Sequence, residues 1–323
     1  MVKISFSEFL LGKRERISWV EETSFGSGGT MSTGGYIIGL NAEMGTDFKQ
    51  NWQEVLTAGA DDRYVQDRVV GPLALPFTIT FTPTDWKFLR HCGYDFTNTG
   101  SPTVVHTGTI QNAINSFNLE WAMRHTTPVV LKLTGCTALG ATITFNKATG
   151  EGEGNITVAM RCVAKAYTIG ASVTTLDNDA ITRDPFKWRH VKVTLDNNEI
   201  TEVNSGEIII DQGIDVNDSR YCNATLDRDI GEPIPKIHRI TGKFNFNVKD
   251  NTFMALWNTA DEIANCSLDF TQGATNKIEM DFTGLRLDNG YHATALEGVT
   301  AVECPFTVEK FTSIVATDIL TDY

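Results

Sequence analysis

A switch of hydrophobic period occurs twice in this chain, at matching positions of two similar stretches. In Phe77-Thr-Ile-Thr-Phe-Thr-Pro-Thr-Asp-Trp-Lys-Phe-Leu-Arg-His-Cys, alternating apolar residues give way to an i, i+1, i+4 apolar set. The stretch from Lys243 through Phe244, Phe246 and Asp250 to Trp257 does the same. At an offset of 165, Ile79 meets Phe244, Phe81 meets Phe246, Asp85 meets Asp250, Phe88 meets Phe253 and Leu89 meets Met254. Alternation suits a strand, whose side chains point to opposite faces in turn, and the second pattern lines one face of a helix. Thr84 or Asp85, and later Asp250, stand where N-caps belong, and Gly93 stands where a glycine ends a helix. Each stretch therefore predicts a strand, a cap and a helix of about ten residues. The aromatic face formed by Phe88, Phe253 and Trp257 is read as core packing.

Other segments align around this anchor. Gly35-Tyr-Ile-Ile-Gly-Leu-Asn matches Gly206-Glu-Ile-Ile-Ile-Asp-Gln at 171. Val129, Leu131, Leu133, Thr134 and Gly135 match Ile278, Met280, Phe282, Thr283 and Gly284 at 149. Glu153-Gly154 and Val158 match Glu297-Gly298 and Val302 at 144. The offset falls stepwise between elements, which puts the length differences in loops, where insertions cost least. The common order predicts an internal duplication: a first unit over 1–168, a linker over 169–185 and a second unit over 186–323.

Each unit reads as mostly strand. Ala141–Asn146 and Asn155–Met160 are expected to pair across a tip at Gly150–Gly154. Ile278–Phe282 alternates, with carboxylates on its open face. Val191–Asp196 and Glu199–Ile200 read as a hairpin turning at Asn197 and Asn198.

Net charge is −13, and it is unevenly divided: −1 over residues 1–168 and −12 over 169–323. That balance disfavours tight nucleic-acid binding, which rests on Lys and Arg. It permits a surface that nucleic acid passes without sticking. No apolar run approaches the roughly 20 residues of a membrane span. The N-terminal stretch lacks the basic-then-apolar order of a signal peptide, so folding in a cytoplasm is expected. Six scattered cysteines lack the close pairs of zinc or redox sites and are read as buried thiols. Nucleophile-elbow, phosphate-loop and zinc-helix motifs are absent from the sequence. Asp177 and Asp179 fail as a calcium loop because Thr182 and Trp188 stand where Gly and Glu are needed. No catalytic, cofactor-binding or metal residue is therefore named, no cofactor is expected, and the reading is not an enzyme.

Several segments resemble the major tail tube proteins of long-tailed viruses of bacteria or archaea. They are Val20-Glu-Glu-Thr-Ser-Phe-Gly-Ser, Ser205-Gly-Glu-Ile-Ile-Ile leading to Asp215–Arg220, Gly242-Lys-Phe-Asn-Phe-Asn-Val, and Cys304-Pro-Phe-Thr-Val-Glu-Lys. The resemblance implies a mainly β fold of two tandem antiparallel β-sandwich or half-barrel units, each with one short flanking α-helix. It implies a structural virion protein, assembled in the host cytoplasm, that polymerises into stacked rings around a lumen through which the genome passes. A duplicated chain would close a ring as a homotrimer with pseudo-sixfold symmetry. Implied partners are further copies of the chain and the tape-measure, tail-terminator and tail-tip proteins, with transient passage of DNA and no membrane. Residues 43–70 and 211–235 would be loops reaching the next ring, and an acidic lumen would repel phosphate. The alternatives are a β-sandwich decoration or receptor-binding module, and the inner tube of a contractile injection machine.

Overall fold

A computed structural model of the chain describes residues 15–49, 52–55, 67–70, 75–123, 128–147, 154–176, 183–216, 232–247, 262–288, 291–293, 301–320 and 323. The first elements are β1 (Glu15–Glu21), α1 (Met31–Gly34), β2 (Tyr36–Ile37), β3 (Leu40–Thr46), β4 (Trp52–Val55), β5 (Asp67–Val70) and β6 (Pro76–Thr82). A 3₁₀ turn (Lys87–Cys92) follows, then β7 (Tyr94–Thr99), β8 (Val104–Ile110), β9 (Phe117–Met123), β10 (Val129–Asn146), β11 (Ile156–Val163) and β12 (Ala166–Gly170). A second 3₁₀ turn (Trp188–His190) leads to β13 (Val191–Leu195), β14 (Asn198–Ile200), β15 (Val203–Asp211), β16 (Arg239–Asn247), β17 (Cys266–Thr271) and β18 (Lys277–Thr283). Last come β19 (Arg286–Leu287), β20 (Tyr291–Ala293), β21 (Ala301–Val308) and β22 (Lys310–Asp318).

These strands make two antiparallel sheets and a hairpin. The larger sheet runs β19-β21-β16-β15-β10-β11-β6-β3, with β20 also on β21. The smaller runs β14-β13-β17-β18-β22-β8-β7, and β4 pairs β5 alone. The 18-residue strand β10 belongs to two pairings along its length. Its first part lies between β9 and β12, and its last part between β11 and β15. Gly135, with φ +61°, sits at the change; a Cβ there would lie 2.6 Å from Cβ of Lys165.

Alternation explains the core. On the large sheet Ile79, Phe81, Ile143, Phe145, Val158, Met160, Ile208, Phe244 and Phe306 are buried on one face. On the smaller sheet Ile278, Met280 and Phe282 point inward while Lys277 and Glu279 are exposed, as the sequence predicts. Gly206 is a glycine because the Phe145 ring covers it from the neighbouring strand: a Cβ would meet Cζ at 2.3 Å. Five of the six cysteines, Cys92, Cys136, Cys162, Cys266 and Cys304, are buried free thiols. The sixth, Cys222, lies outside the described residues.

Several expectations are corrected. The helix expected after Asp85 is a six-residue 3₁₀ turn, which ends at Gly93 in the left-handed conformation, φ +91°. Lys87, Phe88, Leu89, His91 and Cys92 are all buried, so there is no solvent face of the kind an amphipathic α-helix needs. Asp85 accepts a hydrogen bond from the Lys87 N–H at 3.1 Å. The matching stretch after Asp250 lies outside the described residues, as do most of the expected 150–154 tip and the 297–298 match. The hairpin of β13 and β14 turns one residue earlier than read, on Asp196 and Asn197 with φ +50° and +63°. Two successive left-handed residues make the tight turn whose twist suits a hairpin. The match at 171 does not hold in the sheets: Tyr36 and Ile37 pair with β1, whereas Gly206–Asp211 pair with β10 and β16. Part of the expected linker is anchored. The Thr174 N–H donates to Glu120 Oε1 at 3.0 Å, and Leu176 is buried.

Charged groups inside this core are tied down. Arg16 Nη2 donates to Glu120 Oε1 at 2.7 Å and to the Thr174 carbonyl at 2.6 Å. Burial alone would raise the Glu120 carboxyl, but hydrogen bonds from Thr174 and Arg16 together hold it below its usual range. A second cluster surrounds Tyr323. Its hydroxyl donates to Asp318 Oδ2 at 2.6 Å and accepts from the Trp86 N–H at 2.9 Å. Its ring stacks on His106 with centroids 3.8 Å apart, and His106 Nε2 lies 3.1 Å from Asp318 Oδ1. Arg183 bridges Asp85 at 2.8 Å and Asp318 at 3.4 Å.

One solvent-side cluster carries a pH prediction. Asp269 stands opposite Glu279 on β18, and Asp281 follows two residues along. Partial burial first, and Glu279 second, push the Asp269 carboxyl up to about 6. A carboxyl raised in the folded state binds its proton more tightly there than in the unfolded chain. Its contribution to stability is therefore lost as pH rises from about 4 towards 6. His91 works in the opposite sense: burial holds it neutral down to about 3, so acid below 6.5 costs stability. Thermal melts of wild type and Asp269→Asn separate the two. The variant is expected to melt higher at pH 7, and the gap should close on acidification to pH 4. A constant difference across that range would refute the assignment.

Candidate assembly surfaces: two sheet edges and an open face

Three features of the large sheet bear on assembly: the strand edges at the two ends of its β19-to-β3 run, and its uncovered face. Strand β3 pairs only with β6, and β20 pairs only with β21, among the described residues. These are the two ends of the large sheet. On β3 the directions of the backbone groups follow from one bond: the Asp47 N–H donates to the Pro76 carbonyl at 3.1 Å. Antiparallel bonding alternates, so Gly45 also faces β6, while Met44 and Thr46 turn their N–H and C=O groups outward. An unpaired row of this kind is a template for another strand.

The uncovered face is rich in hydroxyls. One row across the strands reads Thr80, Ala159, Thr142, Ile209, Thr241 and Thr307, each opposite the next. The adjacent row carries Thr157, Thr144, Glu207, Lys243 and Pro305. Charges here are nearly balanced and partly paired. Arg161 reaches Asp211 at 3.9 Å across Gly140, and Lys243 reaches Glu303 at 3.7 Å. Such a face offers no strong field to a polyanion in either direction.

The sequence names no site residues, and among the described residues no group of three His, Cys, Asp or Glu is placed to hold a metal. The two loop candidates are described only in part. Within 43–70, the first residues belong to β3 and two short segments pair as β4 and β5. Of 211–235, Asp211 ends β15, the Gln212 amide is buried against the carbonyls of His91 and Ala138, and Asp215 bridges to Ile234. Residues 217–231 lie outside the described residues. Leu40, Ala42 and Met44 alternate with polar residues as a half-buried strand does, which marks β3 as a strand but not as an edge.

Residues 12–309 match the family model described as phage tail tube protein. The chain belongs to that family. A phage tail tube protein is a structural component of the virion tail, and this one forms the tail tube rather than catalysing a reaction. No curated protein matches the chain. Membership sets aside the decoration and receptor-binding readings. It also gives the edges of this tail tube protein a purpose, since a protein that self-assembles into a tube needs surfaces that accept another copy.

Proposed function

We propose that residues 1–168 and 186–323 are two copies of one tube unit joined through 169–185, and that three chains close a ring with six similar units. Such rings stack into the conduit, and the hydroxyl-rich face of the large sheet lines its lumen. The observation that carries this reading is the repeated register of the two halves. In the first, Met44 stands opposite Ile79 and Ile79 opposite Met160. In the second, Gly206 stands opposite Phe244 and Phe244 opposite Cys304. Ile79 and Phe244 are the residues that the period switch aligns. The order β1-β9-β10-β12 likewise parallels β13-β17-β18-β22. Gly135 and Gly284 have φ of +61° and +67° in equivalent turns. Beside them the Lys165 N–H donates to the Thr134 carbonyl at 3.0 Å and the Glu309 N–H to the Thr283 carbonyl at 3.1 Å.

On this reading β10 and β15 form the joint between units inside one chain, and the free edges form the joint between chains. A closed ring leaves neither end of the β19-to-β3 run exposed, which is what favours closure over open aggregation. DNA passes a lumen of threonine and near-balanced charge that offers phosphate few cations. Negative-stain electron microscopy with mass measurement of single rings tests the assembly. Six-lobed end views from rings with the mass of three chains are expected. Rings of six chains, or a discrete oligomer that never stacks, would overturn it.

A further inference from the structure

The joint inside the chain fixes what the joint between chains should be, residue by residue. Between β10 and β15, the Gln212 N–H donates to the Leu139 carbonyl at 3.0 Å and the Lys147 N–H to the Asn204 carbonyl at 2.7 Å. Ile143 stands opposite Ile208 and Thr144 opposite Glu207. Leu139–Gln212, Ile143–Ile208 and Lys147–Asn204 are thus hydrogen-bonded pairs, and Thr144–Glu207 is an intervening pair with closer side chains.

Each partner in this joint has a counterpart on a free edge. Ile143 stands opposite Val158 on β11, and His292 on β20 stands opposite Val302 on β21. Val158 and Val302 are matched in the sequence alignment of the halves. Ile208 stands opposite Gly242 on β16, and Thr46 on β3 stands opposite Phe77 on β6. Phe77 and Gly242 are matched at the same offset as Ile79 and Phe244. The outward direction of Thr46, read independently from the Asp47–Pro76 bond, agrees with the role Ile208 plays.

We propose that β20 of one chain pairs antiparallel with β3 of a second copy, with His292 opposite Thr46, Ala293 opposite Gly45 and Tyr291 opposite Asp47. The occupant of each edge is another molecule of this chain, and the register copies that of the internal joint. The inference rests on the tube reading above and goes beyond it by naming the contacts. Registers slipped by one or two residues would place different residues opposite Gly45, and a one-residue slip would turn the strand's faces over.

Gly45 and Ala293 take the places of Glu207 and Thr144, so they form a close pair without mutual hydrogen bonds. Such pairs suit disulfide geometry. A side chain is tolerated at position 45, where an added Cβ meets nothing within 4 Å. The test is mild copper-phenanthroline oxidation of assembled Gly45→Cys/Ala293→Cys chains, followed by non-reducing electrophoresis and mass spectrometry of the linked peptide. Covalent dimers and trimers joined at 45 and 293 are expected as the dominant product. Gly45→Cys/His292→Cys and Gly45→Cys/Tyr291→Cys, which report the slipped registers, should link far less, and single-cysteine chains not at all. Asp47→Cys/Tyr291→Cys is a second pair in the same register, should the first assemble poorly. Tubes in which neither in-register pair links, or in which a slipped pair links best, overturn the register while leaving the tube reading intact. A wild-type chain that never forms rings or tubes overturns both.

Discussion

Tyr323→Ala is expected to lower the melting temperature by on the order of 10 °C, the largest stability effect of any single substitution discussed. The ring is fully buried, and truncating a buried aromatic costs about 3–5 kcal/mol through lost contacts and the cavity left behind. The polar end adds to this. Without the hydroxyl, Asp318 loses a donor at 2.6 Å and the Trp86 N–H loses its acceptor at 2.9 Å, both inside the protein. Burial and the neighbouring carboxylates of Asp318 and Asp85 hold the phenol protonated well above its usual range, so it remains a donor across the neutral region. Tyr323→Phe keeps the ring on His106 and removes only the hydroxyl. It should cost about 1–3 kcal/mol, the range for leaving buried partners unsatisfied. A Tyr323→Ala protein that melts within a degree of wild type would show that this cluster does not hold the two halves together.

Thr46→Pro should abolish tube formation while leaving the subunit folded. Thr46 is exposed, and its N–H points away from β6, so proline removes no bond within the chain. It removes a donor from the free edge and places a ring where a neighbouring strand would lie, the means by which natural edge strands avoid pairing. The expected change in subunit stability is about 0.5 kcal/mol or less, typical of a surface site. Sedimentation should find only unassembled subunits under conditions where wild type forms tubes, whereas Thr46→Val, which keeps the N–H, should assemble. Normal tubes from the proline variant would exclude β3 as an assembly edge.

The sequence made the mainly β character legible because alternation over Phe77–Phe81, Phe244–Phe246 and Ile278–Phe282 is a strong local signal. The shared helix prediction was weaker in kind. Period analysis reports which residues are apolar, and at Lys87–Cys92 nearly every residue is buried, so no stripe existed to define an α-helix. The match of Gly35–Asn41 with Gly206–Gln212 failed for a related reason: Gly-x-Ile-Ile describes any strand start, and only pairing partners distinguish β2 from β15. The free edges were harder still. An edge is defined by what is missing beside a strand, and nothing in Leu40–Thr46 itself records that. Nor does any local pattern tell that β8 crosses to lie against β22, more than 200 residues later.

That crossing has a mechanical corollary. The two halves of the chain are fastened twice, by β10 on β15 and by β8 on β22. Strand β12, which in the proposed duplication is the counterpart of β22, has no such cover among the described residues, and Ile169 on it is 71% exposed. In the proposed ring, stiff and compliant seams therefore alternate. When such a tail curves, its strain should collect at three lines running along the tube, and a broken tube should part there into whole chains.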